Sequence, residues 1–202
     1  MELEPALVER ISADIEARRE AAIQLLRQLV ATPSVTGNEG AAQGVVAAAL
    51  RSRELEVDVW ELNPDEIAPY TEHVGEQARW DGRPNVVGVR RGSGGGRSLH
   101  LNAHIDTVEN GDPATWTHDP NAGEVVGDLL YGRGACDMHG GLVSHLLALD
   151  TLAALGIPLR GDVIVSSTVG EEDGGVGALA TLLRGYRADV ARPPKAVHSS
   201  SA

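Results

Sequence analysis

The hydrophobic positions of this chain change period several times, and the changes mark out its elements. Between residues 5 and 31, Val8, Ile11, Ile15, Ile23, Leu26 and Val30 recur at three-, four- and eight-residue steps. That is the stripe of an amphipathic helix, and Thr32-Pro33 stops it. Asn38-Glu39-Gly40 opens a second, Ala-rich helix that runs to about Arg53. Val57, Val59 and Glu61 alternate with Glu56, Asp58 and Trp60, a strand pattern. Residues 63–83 show no period and read as a long loop; Asn85 to Arg90 reads as a short strand, followed by a glycine-rich turn at 92–96.

The clearest strand is Ser98 to Asp106. Leu99, Leu101, Ala103 and Ile105 alternate with Ser98, His100, Asn102, His104 and Asp106, so the polar groups share one face. A loop at 110–121 and one further strand at 125–131 follow. Leu142, Leu146, Leu149 and Leu152 predict a helix from Met138 to about Leu155; Asp162 to Val169 is an apolar strand, and Val176 to Tyr186 a last helix. Strands alternating with helices predict an α/β domain with a largely parallel sheet, whose sites gather at the carboxyl ends of strands.

Composition narrows the function classes. The 202 residues carry a formal net charge of −12, which argues against a nucleic-acid or anionic-membrane surface. A 42% hydrophobic content supports a core, although there is no Phe, so Ala, Val and Leu must fill it. The one cysteine excludes an internal disulfide and fits a reducing compartment. The acidic start, Met1-Glu2-Leu3-Glu4-Pro5, lacks a signal-peptide core, and no apolar run is long enough to span a membrane. The expected location is cytoplasmic.

The candidate chemistry lies at three strand ends. His104 and Asp106 form a His-x-Asp pair on one strand face, so Asp106 can hold the second ring nitrogen of His104. On a half-exposed strand such a pair alone means little. Asp137 sits where Gly132-Arg133-Gly134 meets a helix start; by itself it is an ordinary N-cap, but few bulky groups surround it. Glu171 and Glu172 end a buried strand, where adjacent acids are costly unless neutralised. A metal takes one, and the second can accept a proton from water; the plain alternative is two solvated loop acids. One imidazole with several carboxylates is the donor set of a hydrolytic zinc site.

Competing motifs fail. Gly132-x-Gly134 starts like a dinucleotide fingerprint, but Asp137 stands at its third glycine and would repel a pyrophosphate. A P-loop needs Lys, and the only one is Lys195. There is no Gly-x-Ser-x-Gly elbow. Cys136 reads as a small packed thiol, and His73, His118 and His145 as structural or surface residues.

Together, His104-Ile105-Asp106-Thr107-Val108, Tyr131-Gly132-Arg133-Gly134-Ala135-Cys136-Asp137-Met138 and Gly170-Glu171-Glu172 resemble the zinc-dependent deacylases and exopeptidases. These include acetylornithine deacetylase, succinyl-diaminopimelate desuccinylase, aminoacylase and glutamate carboxypeptidase. His139, where many relatives have Lys, is a mild departure. The resemblance implies a three-layer zinc-exopeptidase-like sheet with helices on both faces, here truncated. It implies hydrolysis of amide bonds in N-acyl amino acids or small peptides at a site of two zinc ions, with cobalt or manganese as substitutes. It makes His104, Asp137 and Glu172 metal ligands, Asp137 bridging and often followed by a cis peptide. Glu171 becomes general base and acid, and Asp106 the residue orienting His104.

The family pattern also implies two further ligands, an acid after the next strand and a distant His beyond an inserted dimerisation domain. Neither is found. Arg192-Pro193-Pro194-Lys195-Ala196-Val197-His198 stands where the acid belongs, Asp189 precedes any expected strand, and His198 lies in a polar tail. The expectation is therefore catalytic-domain sequence over 1–189, an atypical tail at 190–202 and no dimerisation domain, with homodimers confined to an intact form. Such a fragment would have little activity. The rival reading is a non-catalytic zinc-binding or partner-binding remnant.

Overall fold

The computed structural model describes residues 4–77 and 79–192. Helix α1 (Pro5–Val30) begins with Pro at its first position, where the missing N–H costs nothing. Helix α2 (Gly40–Arg51) follows, then strand β1 (Glu56–Glu61). The stretch expected to be one long loop contains the short helical turns α3 (Pro64–Ile67) and α4 (Thr71–Val74). The Asn63 side chain accepts from the Asp65 N–H at 3.0 Å, so Asn63-Pro64 was a start signal too short to show a period.

Strands β2 (Pro84–Arg90) and β3 (Leu99–His104) come next. The strand expected over 125–131 is instead a hairpin, β4 (Glu124–Val126) and β5 (Leu129–Tyr131). Gly127, at φ 61°, makes the turn with Asp128, a Gly-Asp hairpin signal that the apolar run concealed. Helix α5 (Gly140–Ala154) starts two residues later than its leucine stripe suggested, because Asp137 and Met138 leave helical backbone. Strand β6 (Val163–Thr168), helix α6 (Val176–Leu183) and strand β7 (Val190–Arg192) complete the described chain. Residues 190–192, assigned from sequence to the tail, thus pair with β3 in the sheet. His198 and Lys195 lie outside the described residues.

The main sheet has the order β1-β2-β6-β3-β7. β3 pairs in parallel with β6 and β7, while β2 is antiparallel to both of its neighbours. Only β2 therefore runs against the other strands, and its first residues lie beside the last residues of β6.

The alternation of β2 assigns the layers. Val86 belongs to the large core, and Gly88 on the same face lies against Leu50 of α2. That core also takes Leu142, Leu146 and Leu149 of α5. The other face carries Asn85, Val87 and Val89; Asn85 bonds α6, and Val87 and Val89 pack with Ile164, Trp60 and Tyr186. Helices thus cover both faces, and burial of these Val and Leu side chains at roughly 25 cal/mol per Å² is the main favourable term. The outer half of α1 is an exception to its predicted stripe: Val8 and Ile15 are exposed. No helix among the described residues is long and apolar enough to cross a membrane.

Candidate metal centre

The parallel strands β3 and β6 end side by side, His104 opposite Thr168, so the segments after them share one edge. His104 and Asp106 are almost fully buried there. The His104 Nδ1 lies 2.9 Å from the Asp106 backbone carbonyl, and the Asp106 carboxylate is farther, at 3.6 Å. The ring is thus held by residue 106 chiefly through its main chain. The carboxylate has other work. It accepts the backbone N–H of Glu171 at 3.1 Å and of Glu172 at 3.0 Å, and the Thr36 hydroxyl at 3.1 Å. These bonds fix the acid-bearing loop to the strand below it.

His104 Nε2 faces outward, 3.1 Å from Asp137 Oδ1 and 3.8 Å from Glu171 Oε2. Asp137 is delivered by a kinked turn with a cis Asp137–Met138 peptide. His104, Glu171 and Glu172 each offer a ligand atom within 4.8 Å of the others. Three of the five residues singled out from sequence form this group. Asp137 is outside it but touches its imidazole, and Asp106 supports it from beneath. Asp137, Glu171 and Glu172 are exposed, as an accessible site requires.

Charge in the cluster is unbalanced. Four carboxylates surround one imidazole, and among the described residues the ion-pair contacts of Asp106, Asp137 and Glu171 are to His104 alone. Burial disfavours the imidazolium, yet the Asp106 carboxylate and carbonyl and the charge of Glu171 outweigh it and raise His104 to about 9. With Nδ1 donating to a carbonyl, Nε2 can meet a carboxylate only as a second N–H; deprotonated, it turns a lone pair toward the same acids. Burial first, then the neighbouring Glu171, Asp106 and Asp137 charges, push Glu172 up, against the pull of His104. Asp106 is lowered: burial opposes its charge, but His104 and the two loop amides prevail. Imidazole nitrogen and carboxylate oxygen converging with surplus negative charge are the donors that zinc accepts, so the residues fit a divalent cation.

Comparison with known proteins agrees. Residues 100–199 match the model for peptidase family M20/M25/M40. The chain belongs to this family. It is 34% identical over 191 residues to an N-formyl-4-amino-5-aminomethyl-2-methylpyrimidine deformylase of Halalkalibacterium halodurans, covering 92% of this chain and 41% of that protein. It is 32% identical over 163 residues to a succinyl-diaminopimelate desuccinylase of Methylocella silvestris, covering 81% and 38%. The chain thus spans about 40% of the length of these curated relatives. Among solved structures, a Staphylococcus aureus tripeptidase superposes with a TM-score of 0.60 at 26% identity, covering 85% of this chain and 42% of that one. Human carnosine dipeptidase 1, at 22% identity over 87% and 37%, shares the fold with a TM-score of 0.70.

Other sequence readings were settled differently. Cys136, expected to pack, is exposed. His139 is buried behind the site, its Nε2 donating to the Ile105 carbonyl at 3.0 Å. Glu39, Arg83 and Asn85 also lie near the site, and no sequence motif marks them as functional. Their only sequence signal was polarity at the edge of apolar runs, Asn85 leading Val86-Val87-Gly88-Val89.

Proposed function

We propose that the cluster of His104, Asp137, Glu171 and Glu172 binds divalent metal, zinc foremost, and that the site serves hydrolysis of amide bonds in N-acyl amino acids or small peptides. The observation that carries this reading is the placement of His104 Nε2 against three exposed carboxylates, over a buried carboxylate that holds both loop amides. The deformylase and desuccinylase names of the relatives support the amide class.

His104, Asp137 and Glu172 would hold the metal, with cobalt and manganese as substitutes and a second ion in the intact family site. When bound, the metal supplies Lewis-acid polarisation of the amide carbonyl and lowers the pKa of water. Glu171 takes the proton of the attacking water and returns it to the leaving amine. Asp106 fixes His104 through its carbonyl and Glu171 through its carboxylate, so neither must reorganise.

The test is titration of the purified chain with Zn²⁺ and Co²⁺, followed by assay on N-formyl and N-succinyl amino acids and dipeptides. Metal uptake lost in His104→Ala, with hydrolysis lost in Glu171→Gln, is the expected result. No uptake by the folded native chain overturns the reading. Uptake without hydrolysis favours the non-catalytic metal-binding alternative, which the 40% span of the relatives keeps in view.

A further inference from the structure

The loop carrying Glu171 and Glu172 leaves β6 after Thr168 and enters α6 at Val176, and Val169 and Gly177, one at each end, are bound to one side chain. Asn85, fully buried on β2, accepts the Val169 N–H through Oδ1 at 3.1 Å. Its Nδ2 donates to the Gly177 carbonyl at 2.7 Å and the Thr181 hydroxyl at 3.0 Å. Only an amide has an acceptor and two donors at these positions. The fit is close: a Cβ on Gly177 would stand 2.8 Å from Asn85 Oδ1 and would run into the Val169 carbonyl oxygen.

A second contact backs the first. Arg83, two residues earlier, donates to both oxygens of buried Glu39 at 2.8 and 2.7 Å, and to Gln77 Oε1 at 3.1 Å. Its Nη2 lies under Gly170, 3.1 Å from where a Cβ would be. Both residues reach the loop because β2 alone runs backwards in the sheet, which brings its start to the end of β6.

We propose that Asn85 is a positioning residue for the metal site. It fixes both ends of the 169–175 loop, with the Arg83–Glu39 pair as a floor, and so sets where the Glu171 and Glu172 carboxylates stand relative to His104. Asn85 touches neither acid, and its effect passes through the loop backbone. The inference rests on the metal-site reading for its consequence, but the clamp itself can be measured without metal.

The experiment compares the native chain with Asn85→Asp, which keeps the acceptor for Val169 and loses both donors. Thr181→Val, which removes the third bond together with the Thr181 hydroxyl's own 2.9 Å bond to the Gly177 carbonyl, serves should Asn85→Asp not fold. Leu50→Ala, a core truncation beneath the middle of β2, is the control for stability loss alone. Two quantities are read on folded protein: hydrogen exchange of the Glu171 and Glu172 amides, and Co²⁺ affinity followed by its visible spectrum. The expected result is loop exchange faster by about tenfold with α5 still protected, and Co²⁺ affinity weaker by roughly 10–100-fold; Thr181→Val shows smaller shifts in the same direction. Leu50→Ala leaves both near native. Unchanged loop exchange in a folded Asn85→Asp or Thr181→Val chain overturns the proposal, and so does an equal loss of affinity in Leu50→Ala. If the native chain takes up no Co²⁺, the metal reading fails, and the exchange arm still decides the clamp.

Discussion

Two acidic regions flank the same loop, and they are built on opposite terms. Beneath it, Glu39 is fully buried and bound by Arg83 through two hydrogen bonds, so its charge is answered within the protein. Above it, Asp137, Glu171 and Glu172 crowd one imidazole with Asp106 below. A buried acid with a bidentate arginine gives a fixed structure. Exposed acids in excess of their cations give a place for something to bind. The difference separates the residues that hold the loop from those that would act.

The comparison predicts that removing charge above the loop costs function, and removing it below costs stability. Glu171→Gln should lower amide hydrolysis by about 10²–10⁴-fold, the usual worth of a general base, while the denaturant midpoint stays within error. A large stability change there would break the distinction. Glu39→Ala strands the Arg83 guanidinium in the interior and should destabilise the chain by about 3–5 kcal/mol, read by urea unfolding. A loss below about 1 kcal/mol would mean that water reaches Arg83 and that the lower region is not a closed pair.

Asp106 belongs to both regions, buried like Glu39 yet bonded to the acidic loop. Asp106→Ala should cost about 1.5–3 kcal/mol through two orphaned amides and also weaken metal uptake; loss of only one would assign it to a single region. The smallest effect is expected at Asp58, which is remote from both. Bonds from Arg184, then the Tyr186 hydroxyl, outweigh burial and hold its carboxyl below the usual range. A depressed folded value means stability that is present above the unfolded pKa of about 3.9 and lost as pH falls through the folded one. The pair is partly exposed, so screening keeps this below about 1 kcal/mol. Asp58→Asn should flatten the acid side of the urea-midpoint profile slightly.

Much of the frame was legible in the chain. The stripes of α1 and α5, the Ala-rich run of α2 and the alternation of β1 and β3 gave elements close to those observed. Short pieces escaped: α3, α4 and the Gly127 turn contain too few residues for a period to appear, and capping or turn chemistry decides them. The expected largely parallel sheet holds for β3, β6 and β7, but the reversal of β2 left no local trace, since its valines fit either direction.

Sequence alone determined that a His-x-Asp pair, His104 and Asp106, stands at and just beyond the end of β3 and that two acids, Glu171 and Glu172, follow β6, while the family resemblance singled out Asp137 with them. Tertiary structure decided which of these meet, that the Asp106 carbonyl rather than its carboxylate is nearest the imidazole, and that Glu39, Arg83 and Asn85 lie under the loop. Residues 44 or 84 positions apart have no periodic relation in the chain. They are joined only by strand order and direction, which follow from how the whole core packs.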